Sequence, residues 1–170
     1  GEREAYQREL ALLGRVREAL EREAPLREQA FSPDETRMLE GYQFLTAKPM
    51  LILLNIAEKQ IPETSALEDR LGNQFRGPHC DVAALCVKLE MELNQLNDAE
   101  AQEFRSALGV GESGLGRVIR LSHGLLGLIT FFTTASEEVK AWNIRRNITV
   151  TKAAGKIHSD MERGFIRAEV

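Results

Sequence analysis

Behind Pro49 the chain runs Met50-Leu-Ile-Leu-Leu-Asn55-Ile56, six apolar residues broken by a single asparagine. A continuous apolar run of this length reads as a strand buried on both faces, the habit of parallel sheets. A second run, Val82-Ala-Ala-Leu-Cys86-Val87, reads as another strand. Between them Pro62-Glu63-Thr64 opens a short helix with Leu67 and Leu71 on one face, and Gly72-Asn73 and Gly77-Pro78 break the chain. Strand, helix, strand at this spacing predicts a right-handed parallel crossover over 50–56 and 82–87, because antiparallel neighbours are joined by far shorter links. Ligands of open α/β sheets sit beyond the carboxyl ends of the strands. Asn55 and Glu58 fall at that end, where an amide and a carboxylate can read the edge of a bound base. Cys86-Val87-Lys88 reaches the same edge from the second strand.

Helical periodicity surrounds this unit. Tyr6, Leu10, Leu13, Val16 and Leu20 recur at three- and four-residue steps from Glu2 to Glu23, with Glu and Arg on the other faces. So narrow a stripe needs a partner. Ser32-Pro33-Asp34-Glu35 opens one: Ser32 as cap, Pro33 at the first helical position and Glu35 closing a capping box. Met38, Leu39, Tyr42 and Leu45 supply the matching stripe, so residues 1–46 are expected to form a helical hairpin or short coiled-coil arm. Downstream, Leu89 to Leu96 suits a short helix, and Asn97-Asp-Ala-Glu100 caps another that stops at Gly109. Gly111-Glu-Ser113-Gly-Leu-Gly116 lacks the Gly-Lys-Ser/Thr ending of a phosphate loop and follows a helix, so Ser113 is read as a helix cap. His123 on that helix reads as a packed or exposed histidine.

The pattern changes near Leu126. Leu128-Ile-Thr-Phe-Phe-Thr133 and Val139-Lys-Ala-Trp-Asn-Ile144 are β-rich and close enough for a hairpin. Thr151 to His158 suits a helix in which Gly155 allows close packing, and Phe165 to Val170 alternates like a strand. Strand, strand, helix, strand is the opening of a β-grasp.

Composition excludes several classes. No apolar run approaches the roughly 18 residues that cross a bilayer, and the charged N-terminus has no signal-peptide core, so no membrane role is expected and cytoplasm is the default. Cys80 and Cys86 are too few for a disulfide scaffold and lack metal-ligand spacing; Cys86 reads as a small buried hydrophobe. Net charge is −4, yet residues 121–170 hold seven Lys and Arg against five Asp and Glu, a pointer to an RNA-facing surface.

Four ordered motifs carry a family resemblance. Thr130-Phe-Phe-Thr133, Glu138-Val-Lys-Ala-Trp142-Asn-Ile-Arg145, Ala153-Ala-Gly-Lys-Ile-His158 and Gly164-Phe-Ile-Arg-Ala-Glu-Val170 resemble the TGS-domain runs of the YchF subfamily, the Obg-like ATPases among P-loop NTPases. Asn55-Ile-Ala-Glu58 after Lys48-Pro49 resembles that subfamily's variant of the Asn-Lys-x-Asp base-recognition loop, and Cys86-Val-Lys88 its final base-contacting loop. Departures are Asn147 for a glycine, Thr151 for a proline and Ser159 for a threonine.

The resemblance implies an α/β (α+β overall) architecture: a helical coiled-coil arm over 1–46, the C-terminal part of a Rossmann-like P-loop NTPase domain over 47–126, and a truncated β-grasp TGS domain over 127–170. It implies that Asn55, Ile56, Glu58, Cys86, Val87 and Lys88 bind a purine nucleotide, ATP or GTP. Glu58 for Asp spoils the paired contact to guanine and favours ATP, and Ile56 supplies the apolar cover that a lysine stem gives elsewhere. Mg²⁺ would be held in the parent protein by ligands outside this chain, as would the phosphate loop, so no hydrolysis is expected of the chain alone. A different class of function, ribosome or RNA binding without catalysis, follows from the TGS motifs and from Arg145, Arg146, Lys152, Lys156, Arg163 and Arg167. The residues leave oligomeric state open.

Overall fold

The structure is a computed structural model describing all residues except 76, 136–137 and 168–170. Helices α1 (Glu2–Glu21), α2 (Pro33–Glu40), α3 (Thr64–Phe75), α4 (Val87–Leu93), α5 (Asp98–Ala107), α6 (Gly114–Leu125), α7 (Val150–Ile157) and α8 (Ser159–Arg163) accompany strands β1 (Met50–Asn55), β2 (Cys80–Leu85), β3 (Leu128–Ala135) and β4 (Glu138–Arg145). The chain divides into two compact units, Gly1–Arg117 and Val118–Val170. The mixed α/β class expected of the sequence is what the chain adopts.

In the first unit β1 and β2 pair in parallel, Met50 opposite Cys80 through Asn55 opposite Leu85. The register persists past the strands: Met50 N–H donates to His79 O (2.9 Å) and Ile56 N–H to Leu85 O (3.0 Å). The crossover helix α3 runs through Gly72-Asn73 to Phe75 instead of breaking there, with Leu67 and Gly72 buried. A helical glycine costs only about 1 kcal/mol, which burial of one leucine offsets. Ile56, Leu67, Ala84, Cys86, Leu89, Leu93 and Ala101 form the core under β2, α3, α4 and α5. Burial is lopsided: β2 is almost wholly covered, whereas Leu53 of β1 is 46% exposed. The expected burial on both faces therefore fails for β1.

The outer edge of β2 is closed by side chains. Glu68 Oε1 of α3 accepts the Ala84 N–H (2.6 Å), and Arg117 Nη1 of α6 donates to the Ala84 carbonyl (3.3 Å). Arg117 Nη2 and Glu68 Oε2 are themselves paired at 2.7 Å. Together they take both hydrogen-bonding groups that a third strand would use at this residue.

The arm precedes this sheet. Ser32 Oγ accepts the Glu35 N–H (3.2 Å) and Glu35 Oε2 accepts the Ser32 N–H (2.8 Å), the expected capping box, with Pro33 at the first helical position. Leu12, Val16, Ala19, Leu26 and Leu39 form a second core, against which Leu13, Phe31 and Phe44 pack. Arg15 bonds both Glu35 and the Ala30 carbonyl. The stripe of α2 is shorter than its sequence suggests. The helix stops at Glu40, Gln43 takes a positive φ of 54°, Tyr42 stacks on Phe44 at 5.5 Å, and Leu45 is exposed. Arg27 ties the arm to the sheet by donating to the Thr46 and Lys48 carbonyls, each at 3.2 Å, just ahead of β1.

In the second unit β3 and β4 form an antiparallel hairpin, Leu128 opposite Arg145 through Ala135 opposite Glu138. Asn143 Oδ1 accepts the Thr130 hydroxyl (2.8 Å) and lies 3.2 Å from His123 Nε2, and the Trp142 indole donates to Thr133 Oγ1 (3.0 Å). After β4, Asn147 adopts φ 66°; asparagine is among the few side chains that enter this region readily. Thr149 caps α7, and a Cβ on Gly155 would stand 2.3 Å from the Glu162 carboxylate of α8, the close packing for which a glycine was expected. Helix α8 itself has no counterpart in the sequence expectation. Residues 165–167 form no strand, and the rest of the run expected to end the chain as a strand lies outside the described residues.

Candidate base-binding cleft

Parallel register sets the site. Because Asn55 and Leu85 end their strands side by side, the two chains leave the sheet together. One turns through Ala57 into a 3₁₀ turn over Glu58–Glu63, where Gln60 Oε1 accepts the Ala57 N–H (3.0 Å). The other enters α4 at Val87. Asn55 joins them: its Oδ1 accepts the Val87 N–H at 3.2 Å. This satisfies one of the four amides that a helix N-terminus leaves unpaired and fixes the separation of the two loops.

The loops open onto a cleft of about 830 Å³ lined by Asn55, Ile56, Glu58, Cys86 and Lys88, with Ala57, Lys59, Ile61, Pro62 and Leu108 completing its walls. Ligand sites commonly occupy roughly 300–1,000 Å³. Val87 stands beside it and contributes its amide to Asn55. All six residues singled out in the sequence thus meet at one sheet edge. Their exposures differ in a way that sequence does not show. Asn55, Glu58 and Lys88 are exposed. Glu58 makes no ion pair among the described residues, and Lys88 Nζ lies 3.7 Å from Glu92 on the helix surface. Cys86 is buried, as a small hydrophobe would be. Ile56 is only 5% exposed and belongs to the core. It lines the cleft as well, but with little of its side chain showing.

Gln60, Lys59, Ile61, Pro62 and Leu108 were not read as site residues in the sequence. Gln60 carries a signal, a polar side chain three residues past the turn residue whose amide it accepts. Leu108 carries none, since more than fifty residues separate it from Asn55. Among the described residues no group of three or more His, Cys, Asp or Glu side chains is placed to hold a metal ion. No helix there is long and apolar enough to cross a membrane.

Residues 128–170 match the family model described as YchF-GTPase_C, protein of unknown function (DUF933). The ribosome-binding ATPase YchF of Bacillus subtilis is 37% identical over 163 residues, spanning 95% of this chain and 44% of that protein. Obg-like ATPase 1 of Caenorhabditis elegans is 34% identical over 170 residues, 93% of this chain and 40% of that one. The solved YchF GTPase of Schizosaccharomyces pombe superposes with a TM-score of 0.80 at 28% identity, covering 96% of this chain and 44% of its own. The chain thus spans less than half the length of the relatives it matches. Over that span its sequence and fold are similar to those of the YchF and Obg-like ATPases, as its motifs indicate.

Proposed function

We propose that, within a YchF-type ATPase, this chain supplies the part that reads the purine of a bound nucleotide. The observation that carries this is the Asn55–Val87 bond, which joins the two loops at the carboxyl ends of parallel strands and holds them around one cleft. With Oδ1 engaged by the Val87 amide, the Asn55 NH₂ is the end left for the ligand. It suits N7, an acceptor that adenine and guanine share. Asn55 therefore serves affinity and Glu58 serves choice. A carboxylate on the shorter Asp stem can accept both N1–H and the 2-amino group of guanine; the extra methylene of Glu58 moves it out of that register and leaves ATP favoured. Lys88 flanks the cleft on the opposite loop. Phosphoryl transfer needs a phosphate loop and Mg²⁺. The 170 residues contain no Gly-x-x-x-x-Gly-Lys-Ser/Thr run, so no hydrolytic step is assigned to them.

Competitive binding of ATP and GTP to the wild-type chain and two variants tests the reading. Charge-assisted hydrogen bonds contribute roughly 1.5–3 kcal/mol each. Glu58→Asp should therefore move relative affinity toward GTP by about tenfold or more. Asn55→Ala should weaken both nucleotides alike. An Asn55→Ala chain that binds both as the wild type does would overturn the reading. Ile56 is left unaltered, because a lysine there would enter the core.

A second reading, a ribosome or RNA contact made by the second unit, is favoured by a specific observation. Arg145, Arg146, Lys152, Lys156 and Arg163 are exposed and form no ion pair among the described residues. The ribosome-binding names of the bacterial relatives agree with it. The two readings belong to different units and are compatible in one cytoplasmic protein.

A further inference from the structure

Ile56 lines the cleft but is only 5% exposed, so it offers little apolar surface to the face of a base held by Asn55 and Glu58. Among the other apolar residues lining the cleft, Ala57 offers only a methyl group, Cys86 is buried, Ile61 packs against the core, and Pro62 lies on the same turn as Glu58. Leu108 is different: it is 39% exposed and reaches the same cleft from the end of α5.

That end is firmly built. Val110 N–H donates to Arg105 O (2.8 Å) and Gly109 N–H to Ser106 O (3.2 Å), with Gly109 at φ 70°. This pair of bonds is the Schellman closure, in which a glycine in the left-handed region ends the helix and orders the residue before it. Helix α5 is anchored in turn, by buried Ala101 and by Arg105, whose guanidinium lies 3.6 Å from Glu90 of α4. Since α4 starts at the amide that Asn55 accepts, Leu108 is placed in a fixed relation to the base-reading amide.

We propose that Leu108 covers the face of the purine, as the third element of the site besides the two loops. This rests on the base-binding reading above and adds a residue to it. An apolar contact with a ring face does not distinguish adenine from guanine, so its signature differs from that of Glu58.

The test titrates the 170-residue chain with ATP, GTP and, as a probe without a base, inorganic tripolyphosphate. Affinity is followed by calorimetry and Leu108 by its methyl resonances. Leu108→Ala should weaken ATP and GTP equally, by about tenfold, which corresponds to about 1.4 kcal/mol. Leu108→Met should retain most of the affinity, and Leu96→Ala should bind as the wild type. Leu108 methyl signals should move upfield with either purine and stay in place with tripolyphosphate. Urea midpoints of all variants check that the fold is intact. If Leu108→Ala binds normally while Asn55→Ala does not, the Leu108 proposal fails and base reading stands. Weakened binding without the ring-current shift also overturns it, since the effect would then be indirect. If the wild type binds neither purine, both readings fall.

Discussion

Single residues in this chain act through what they displace. Gly114 begins α6, and a Cβ there would stand 2.9 Å from Cγ and 3.0 Å from Cδ of Glu90. Glu90 cannot yield freely, since it is the partner of Arg105, whose buried Nε has no hydrogen-bond partner among the described residues. Glycine to alanine within a helix ordinarily stabilises by about 0.5–1 kcal/mol. Here the sign should reverse: Gly114→Ala should destabilise by roughly 1–3 kcal/mol through overpacking, read as a lower urea midpoint at unchanged slope. Adding Glu90→Ala should remove that penalty relative to Glu90→Ala alone. At Asn55 the sequence showed the residue and its place but not its orientation. Which end of its amide faces the cleft depends on Val87, thirty-two positions away. Ile56 differs again: the resemblance implied an apolar cover, and packing leaves only 5% of the residue exposed at the cleft wall.

At the scale of elements, local signals were the legible ones. The Ser32–Glu35 box, the Asn97 cap with Glu100 and the Ser113 cap of α6 are present as their spacing predicts. Each is decided within four residues. The end of α2, the continuation of α3 through Gly72 and the existence of α8 were not legible, because each depends on packing against residues distant in sequence or on a strained turn. The capping box has a pH consequence. The Ser32 amide bonded to Glu35 holds its carboxyl below the usual carboxylate range, with Arg15 adding to the effect. A group whose pKa is depressed on folding lends stability above its unfolded pKa and withdraws it as pH falls through the folded value. Acid titration should accordingly loosen the α1–α2 hairpin in the region below the ordinary carboxylate value of 4.5, seen as loss of amide protection in residues 33–40. In Glu35→Gln the acid-dependent part of that loss should shrink, and protection should already be lower at neutral pH. Equal acid sensitivity in the variant would remove Glu35 from the account.

For the whole molecule, the apolar runs at 50–56 and 82–87 were enough to imply a parallel pair and to bring both loops to one edge, because strand order and crossover length leave few topologies. The walls of the cleft beyond those loops were not implied, since they come from α5 and the 3₁₀ turn. Charge is likewise uneven across the molecule. The cations of the second unit carry a prediction that belongs at this scale, since RNA binding depends on their summed field. Affinity for a single-stranded RNA should fall as salt rises. Converting Arg145 and Arg146 to Ala should lower the log–log salt slope by about 0.7 for each phosphate that an arginine no longer neutralises. Nucleotide affinity in the first unit should be unchanged by the same pair of substitutions. A salt-independent RNA affinity, or one indifferent to these arginines, would exclude the second unit as the RNA surface.

The Glu68–Arg117 bracket around Ala84 gives the sheet a direction. A strand arriving beside β2 would find the amide and the carbonyl of Ala84 already occupied, and would have to break a 2.7 Å ion pair to reach them. No such bracket stands on the far side of β1 among the described residues, and Leu53 there is half exposed. Any added strand, whether from the same polypeptide or from another copy, can therefore dock on one side only. The sheet is a one-ended template, terminated at the side that carries Cys86 and extendable at the side that carries Asn55.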